Sequence, residues 1–189
     1  MTNNDQIASQ LKLLRSHGMT KDPNLLSKND EPWYYEMQTL GFNYRITDFQ
    51  CALGLSQLKK LDKFVKKRCK IAKFYDNEFD SKKYFKIPKN NSDVTSAYHL
   101  YPLRINFAES ELDKAHFFRT MLENNINLQV HYIPVHTQPY YMKNYGFRHG
   151  DFPVSESFYA QEVSLPIYPS LKNEDMKMVA RIIKKIVKS

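Results

Sequence analysis

The chain has 189 residues, with 28 basic against 20 acidic side chains, two cysteines and five glycines. At 42% apolar residues it can bury the core of one domain or a little more, which excludes disorder throughout. The glycines, at 18, 41, 54, 146 and 150, have neither dinucleotide-fingerprint nor P-loop spacing, so any bound nucleotide must be held in another way.

In chain order, residues 5–14 read as a short helix with Ile7, Leu11 and Leu14 on one face and Gly18 as its stop. Residues 18–42 form a loop with turn residues Pro23, Asn24, Asn29, Asp30 and Pro32 and an aromatic patch at Trp33, Tyr34 and Tyr35. One long helix is expected over 47–80. Thr47 and Gln50 match a capping box, and Phe49, Leu53, Leu58, Leu61, Val65, Cys69, Ala72 and Tyr75 recur on its inner face.

After a polar loop at 88–96, the run 98–106 reads as a strand with Tyr101, Leu103 and Ile105 on one face, and Pro102 makes it an edge or bulged strand. Ser110 is expected to cap a helix that turns Leu112, Ala115, Phe118 and Leu122 inward. A short strand at 127–131, a brief helix at 155–161 and a strand at 163–167 follow. Asn173 opens a last helix with Met176, Val179, Ala180, Ile183, Ile186 and Val187 inward and Lys184, Lys185 and Lys188 near its end. The sum is an α/β layer in which helices cover one sheet.

The charge is local. Residues 59–73 carry eight basic side chains against Asp62 alone, while the rest of the chain is nearly neutral. A solvated helix face explains this stripe, and a basic module for acidic partners, nucleic acid or membrane phosphates is the competing reading. Cys51 and Cys69 lack metal-site spacing and read as thiols in a reducing compartment. With no signal-like start and no apolar run of membrane length, a cytoplasmic protein without a membrane partner is expected.

There is no HExxH, and His131 and His136 bracket Pro134 without a nearby carboxylate pair, so no metal site is expected. No GxSxG elbow is present. The run V-H-Y-I-P-V-H (130–136) reads equally as a hydrogen-bonding site or as packed core rings. G-F-N-Y-R (41–45), just ahead of a helix start, places an amide and a guanidinium where an anion could sit; a turn asparagine and a surface arginine explain it as well.

Five runs bear a wider likeness. L-R-S-H-G-M (14–19), L-G-F-N-Y-R-I-T-D-F-Q-C-A-L-G-L-S-Q-L-K-K-L-D (40–62), Y-H-L-Y-P-L (98–103), V-H-Y-I-P-V-H (130–136) and S-L-P-I-Y-P-S-L (164–171) resemble, in order and spacing, the second half of the DegT/DnrJ/EryC1/StrS family of pyridoxal-phosphate sugar aminotransferases. The resemblance implies the C-terminal part of a type I (aspartate aminotransferase-like) fold. Residues 1–60 would end the large cofactor-binding domain, and residues 61–189 would form the small C-terminal α/β domain.

The implied activity moves an amino group from glutamate to C4 of a UDP-linked 4-keto-6-deoxy-hexose of the pseudaminic acid type, with pyridoxal 5'-phosphate as cofactor. By the same resemblance, Asn43 would reach the phosphate of a partner's cofactor in a homodimer with shared active sites. Gln129, Val130, His131 and Tyr132 match the stretch that contacts the nucleotide sugar, with Asn43, Arg45 and His136 beside it.

The family's Schiff-base lysine precedes the strand that Met1–Asp5 resemble, and none of the 21 lysines here stands at its position. The resemblance therefore implies a C-terminal fragment, inactive alone and without a catalytic residue of its own. Relatives with histidine in place of that lysine carry out a dehydration, which is the alternative activity.

Overall fold

Asn4 accepts the Ile7 backbone N–H at 3.1 Å and so starts helix α1 (Asp5–Leu14), as its spacing in the sequence predicts. The structure is a computed structural model that describes residues 2–28, 31–91 and 93–187. The turn expected at Asn29–Asp30, Met1 of the expected strand end, and Lys188 of the last helix lie outside the described residues. The chain divides into two compact units, Met1–Lys59 and Lys60–Ser189.

In the first unit α1 is followed by a small antiparallel pair, β1 (Met19–Thr20) and β2 (Glu36–Met37), inside the expected loop. The loop between them closes on the Glu36 carboxylate. That group accepts the Ser27 N–H at 2.8 Å, the Ser27 hydroxyl, the Tyr34 hydroxyl at 2.7 Å and the Gln38 side-chain amide at 2.8 Å. The Ser27 and Tyr34 hydroxyls hold it down to about 2. Helix α2 (Asp48–Leu58) then starts on the expected capping box: Thr47 Oγ1 accepts the Gln50 N–H at 3.3 Å, and Gln50 Oε1 accepts the Thr47 N–H at 3.0 Å.

The single helix expected over 47–80 is two helices, α2 and α3 (Leu61–Phe79), separated at Lys59–Lys60. No glycine or proline marks the break; it falls where one unit ends and the other begins. The expected inner face holds only in α3, where Ala72 and Tyr75 are buried together with Ile71 and Phe79, and Val65 and Cys69 are half-buried. Phe49, Leu53, Leu58 and Leu61 are exposed, and α2 buries none of its residues.

The second unit is built on a three-stranded antiparallel sheet in the order β3 (Phe85–Lys86), β4 (Tyr101–Ile105), β5 (Glu162–Leu165). Tyr101, Leu103 and Ile105 alternate into the core as their spacing predicts. The proline is the surprise, because β4 is the central strand. Pro102 lies opposite Ser164, whose N–H goes to the Gln129 carbonyl on its far side at 2.8 Å. The pair is thus of the non-hydrogen-bonded kind, and Pro102 turns its donorless nitrogen toward β3, which pairs only with residues 104 and 105.

Helices α3, α4 (Lys114–Glu123) and α7 (Asn173–Val187) supply most of the rest of the core: Phe117 and Met121 from α4, and Met176, Val179, Ala180, Ile183 and Val187 from α7. Two buried phenols are satisfied there, Tyr75 donating to the Pro166 carbonyl at 3.0 Å and Tyr101 to Asp76 at 2.7 Å. Burial raises both phenols far above the usual tyrosine range, with Asp76 adding to the effect at Tyr101. The cap of α4 is Asp113, which accepts the His116 N–H at 2.7 Å, and not Ser110. With that later start the inner face is Phe117 and Met121; Ala115 and Leu122 are exposed and Phe118 is half-buried.

Residues 127–131 do not form a strand; Gln129 makes one isolated bridge to Ser164 at the free edge of β5. A 3-10 turn (Val135–Thr137), α5 (Pro139–Tyr145) and α6 (Pro153–Gln161) lead from there to β5.

Candidate functional site

In the first unit, Asn43 and Arg45 stand on a segment held by backbone alone. Phe42 N–H donates to the Leu14 carbonyl at 2.7 Å, His17 N–H to the Phe42 carbonyl at 2.9 Å, and Tyr44 N–H to the Arg15 carbonyl at 2.9 Å. Asn43 thereby bridges Ser16. Two glycines permit the crossing. A Cβ on Gly41 would stand 2.3 Å from the Gly18 nitrogen and 2.8 Å from the Leu14 carbonyl oxygen. Gly18 has φ +70°, and a Cβ there would stand 1.7 Å from the Thr39 carbonyl oxygen.

The side chains on this clamp are donors in waiting. Asn43 is exposed and its Oδ1 accepts only a long 3.5 Å bond from the Arg45 N–H. Arg45 is exposed and makes no ion pair among the described residues. An amide and a guanidinium without a carboxylate partner suit a phosphate.

In the second unit the run 130–136 divides between the two readings open to it. Pro134 and His136 are buried, whereas Tyr132 is 72% exposed and Val130 and His131 are half-buried. The His131–Tyr132 peptide is cis, and the two rings meet edge to face at 4.6 Å. His131 is fastened to β5 twice. Its backbone N–H donates to Glu162 Oε2 at 2.9 Å, and its Nδ1 lies 2.7 Å from Ser164 Oγ. Ser164 Oγ in turn donates to Glu162 Oε1.

Glu162 is only 1% exposed. Lys114 lies close enough to sense it: burial lowers the Lys114 ammonium and Glu162 pulls it partly back up.

His136, 7% exposed, turns away to its own partners. Its Nε2 lies 2.9 Å from Glu156 Oε1, and its ring packs on Phe152 at 4.7 Å between centroids. Glu156 also accepts the Gly150 N–H at 2.7 Å, and His136 and Gly150 together hold its carboxyl below the usual range. Here the packed-ring reading fits His136 and the hydrogen-bonding reading fits His131, with the Tyr132 ring exposed beside it.

Sequence reasoning singled out His131 but not Glu162 and Ser164, which hold it. A signal was present: a carboxylate and a hydroxyl two apart on a strand share one face. The basic stripe lies largely in solvent, with Lys63, Lys66, Lys67, Lys70 and Lys73 exposed on α3 and Arg68 donating to the Ala97 carbonyl at 3.0 Å. Among the described residues no group of acidic, histidine or cysteine side chains is arranged to hold a metal, and no helix is long and apolar enough to cross a membrane.

Comparison with known proteins bears on both units. A family model described as the DegT/DnrJ/EryC1/StrS aminotransferase family matches residues 1–184. The UDP-4-amino-4,6-dideoxy-N-acetyl-beta-L-altrosamine transaminase of Campylobacter jejuni is 37% identical over 179 residues, covering 95% of this chain and 45% of that protein. The spore coat polysaccharide biosynthesis protein SpsC of Bacillus subtilis is 36% identical over 189 residues, covering 99% of this chain and 48% of that one.

Among solved structures, the Helicobacter pylori aminotransferase PseC, involved in the biosynthesis of pseudoaminic acid, superposes with a TM-score of 0.84 at 30% identity, over 99% of this chain and 47% of that one. The expected fold class, the C-terminal part of a type I transferase fold, therefore holds. The chain spans about half the length of the curated relatives it matches.

Proposed function

We propose, because the chain belongs to the DegT/DnrJ/EryC1/StrS aminotransferase family, that it supplies the phosphate-holding and sugar-nucleotide-holding share of a pyridoxal-phosphate aminotransferase. The reaction is transfer of an amino group from glutamate to C4 of a UDP-linked 4-keto-6-deoxy-hexose, of the pseudaminic acid type. The named activities of these relatives motivate the substrate class. In this reading residues 1–60 end the large domain and residues 61–189 are the small one.

The observation that carries the reading is the clamp of residues 41–45 onto 14–17. It fixes the backbone of Asn43 while leaving its amide, and the Arg45 guanidinium, free to donate. These groups fit the cofactor's phosphate, which Asn43 would hold across a homodimer interface. The cofactor, when bound, supplies the electron sink for amino transfer. The share of this chain is to bind and orient: Asn43 and Arg45 hold anionic oxygens, and Gln129, Val130, His131 and Tyr132 face the sugar nucleotide. His136 stands behind them, held by Glu156. No lysine of this chain is assigned the covalent bond to the cofactor.

The test is calorimetric titration of the purified chain with pyridoxamine 5'-phosphate and with UDP-N-acetylglucosamine. Both should bind. Loss of one charge-assisted or amide hydrogen bond in Asn43→Ala or Arg45→Ala should weaken phosphate binding about tenfold. The chain alone should not turn over glutamate with a 4-keto sugar nucleotide. Absence of binding by both probes, or binding indifferent to both substitutions, sinks the reading.

A further inference from the structure

His131 is bound to β5 by a carboxylate and a hydroxyl, and proton counting on those groups has a consequence. Glu162 accepts two hydrogen bonds, from the His131 backbone N–H at Oε2 and from the Ser164 hydroxyl at Oε1. With Glu162 ionised beside the Lys114 ammonium, its carboxylate has no proton to donate, so the single Ser164 proton is committed to Glu162. Toward His131 Nδ1, 2.7 Å away, the Ser164 oxygen can then only accept. Nδ1 must therefore carry a hydrogen, and the neutral ring has its lone pair on Nε2. No described group of the second unit hydrogen-bonds that Nε2, although His131 is only half-buried and lies beside the exposed Tyr132 ring.

We infer that Glu162 and Ser164 are positioning residues that fix His131 as its Nδ1–H tautomer, so that Nε2 is offered to a bound ligand as a hydrogen-bond acceptor. The group it takes is a neutral donor, a sugar hydroxyl or an amide N–H. A phosphate has no proton to give and would meet a lone pair. The ligand side of this inference rests on the reading of 129–132 as the sugar-nucleotide contact; the tautomer does not.

The geometry explains why both residues are needed. Glu162 and Ser164 share one face of β5, two residues apart, so the strand presents carboxylate and hydroxyl as a rigid pair. Glu162 uses one oxygen to hold the backbone of the histidine and the other to orient the serine, so ring and main chain are fixed by the same buried charge. The arrangement does for a hydrogen-bonding histidine what an outer carboxylate does for a metal-bound one.

The tautomer is read directly from long-range ¹H–¹⁵N correlations of the imidazole in the full 189-residue chain, recorded with the ring neutral. In the wild type Nδ1 should have the protonated-type shift and Nε2 the acceptor-type shift. Ser164→Ala should move the ring toward the Nε2–H form, and Ser164→Thr, which keeps the hydroxyl, should restore the original pattern. UDP-N-acetylglucosamine should move the Nε2 resonance, with UDP alone leaving it nearly unchanged. Ser164→Ala should weaken the sugar nucleotide about tenfold, the worth of one hydrogen bond.

An Nε2–H wild type, or a tautomer unmoved by Ser164→Ala, overturns the inference. So does an Nε2 that gains a proton with UDP alone, because the ring would then be a phosphate donor. If the tautomer behaves as expected but neither probe touches the ring, the positioning device stands and the sugar-nucleotide contact of the preceding subsection fails.

Discussion

Among the described residues the first unit, Met1–Lys59, buries none of its apolar side chains, whereas the second, Lys60–Ser189, buries twenty. The first keeps its shape through short-range backbone bonds: the crossing of 14–17 with 41–45, the Glu36 loop closure and the Thr47–Gln50 box. Its larger apolar groups, among them Leu40, Tyr44, Ile46, Phe49 and Leu55, are exposed. The second unit is a conventional core of one sheet face against three helices, each fully buried large side chain contributing about 1.5–3 kcal/mol. The two places where ligand groups would be held differ in the same way. Asn43 rests on main-chain geometry, while His131 rests on a buried carboxylate.

This contrast is sharpest in a pair of phenylalanines. Phe117→Ala, at a fully buried site, should lower the unfolding free energy by about 3–5 kcal/mol, and Phe49→Ala, 82% exposed, by less than about 0.5 kcal/mol in urea melts. Equal losses would break the contrast. A smaller and local effect is expected at the glycine crossing. Gly41→Ala forces a Cβ against backbone and should cost about 1–3 kcal/mol. Hydrogen exchange should quicken at the Phe42 and Tyr44 amides and stay unchanged at Leu103 and Val163; quickening in both units would show that they unfold together.

The smallest effect is a pH dependence of the first unit. Glu36 is held down to about 2 from an ordinary 4.5, so its contribution is complete above about 4.5 and is lost as pH falls toward 2. Amide shifts of Ser27 and Gln38 should titrate in that window, and in Glu36→Gln they should not.

What the sequence disclosed follows the range of the interactions concerned. The span of α1, the cap of α2, the alternation of β4 and the inner face of α7 depend on neighbours within a few residues, and each is visible in the residue pattern. The inner face expected over Phe49, Leu53 and Leu58 is absent from α2, because periodicity reports which residues are alike and not whether anything covers them. The α4 cap is Asp113 where Ser110 is expected because both residue types suit a cap and stand three apart, and the Asp113–His116 bond decides between them.

The run that holds Asn43 and Arg45 stands out in the sequence as a candidate anion motif, but the glycine crossing beneath it joins segments more than twenty residues apart. The support of His131 was hidden for the same reason. Ser164 lies 33 residues from it, and only the pairing of β5 with the 129–131 segment brings them together.

Pro102 has a consequence for the molecule in company. A strand arriving at the open part of β4, beyond the two residues that β3 covers, would find the Pro102 carbonyl as an acceptor but no donor from that residue. A ladder needs both in register, so a growing sheet would stall there. The proline in the central strand thus works as a terminator, letting a short β3 leave β4 partly uncovered without offering neighbouring chains a template.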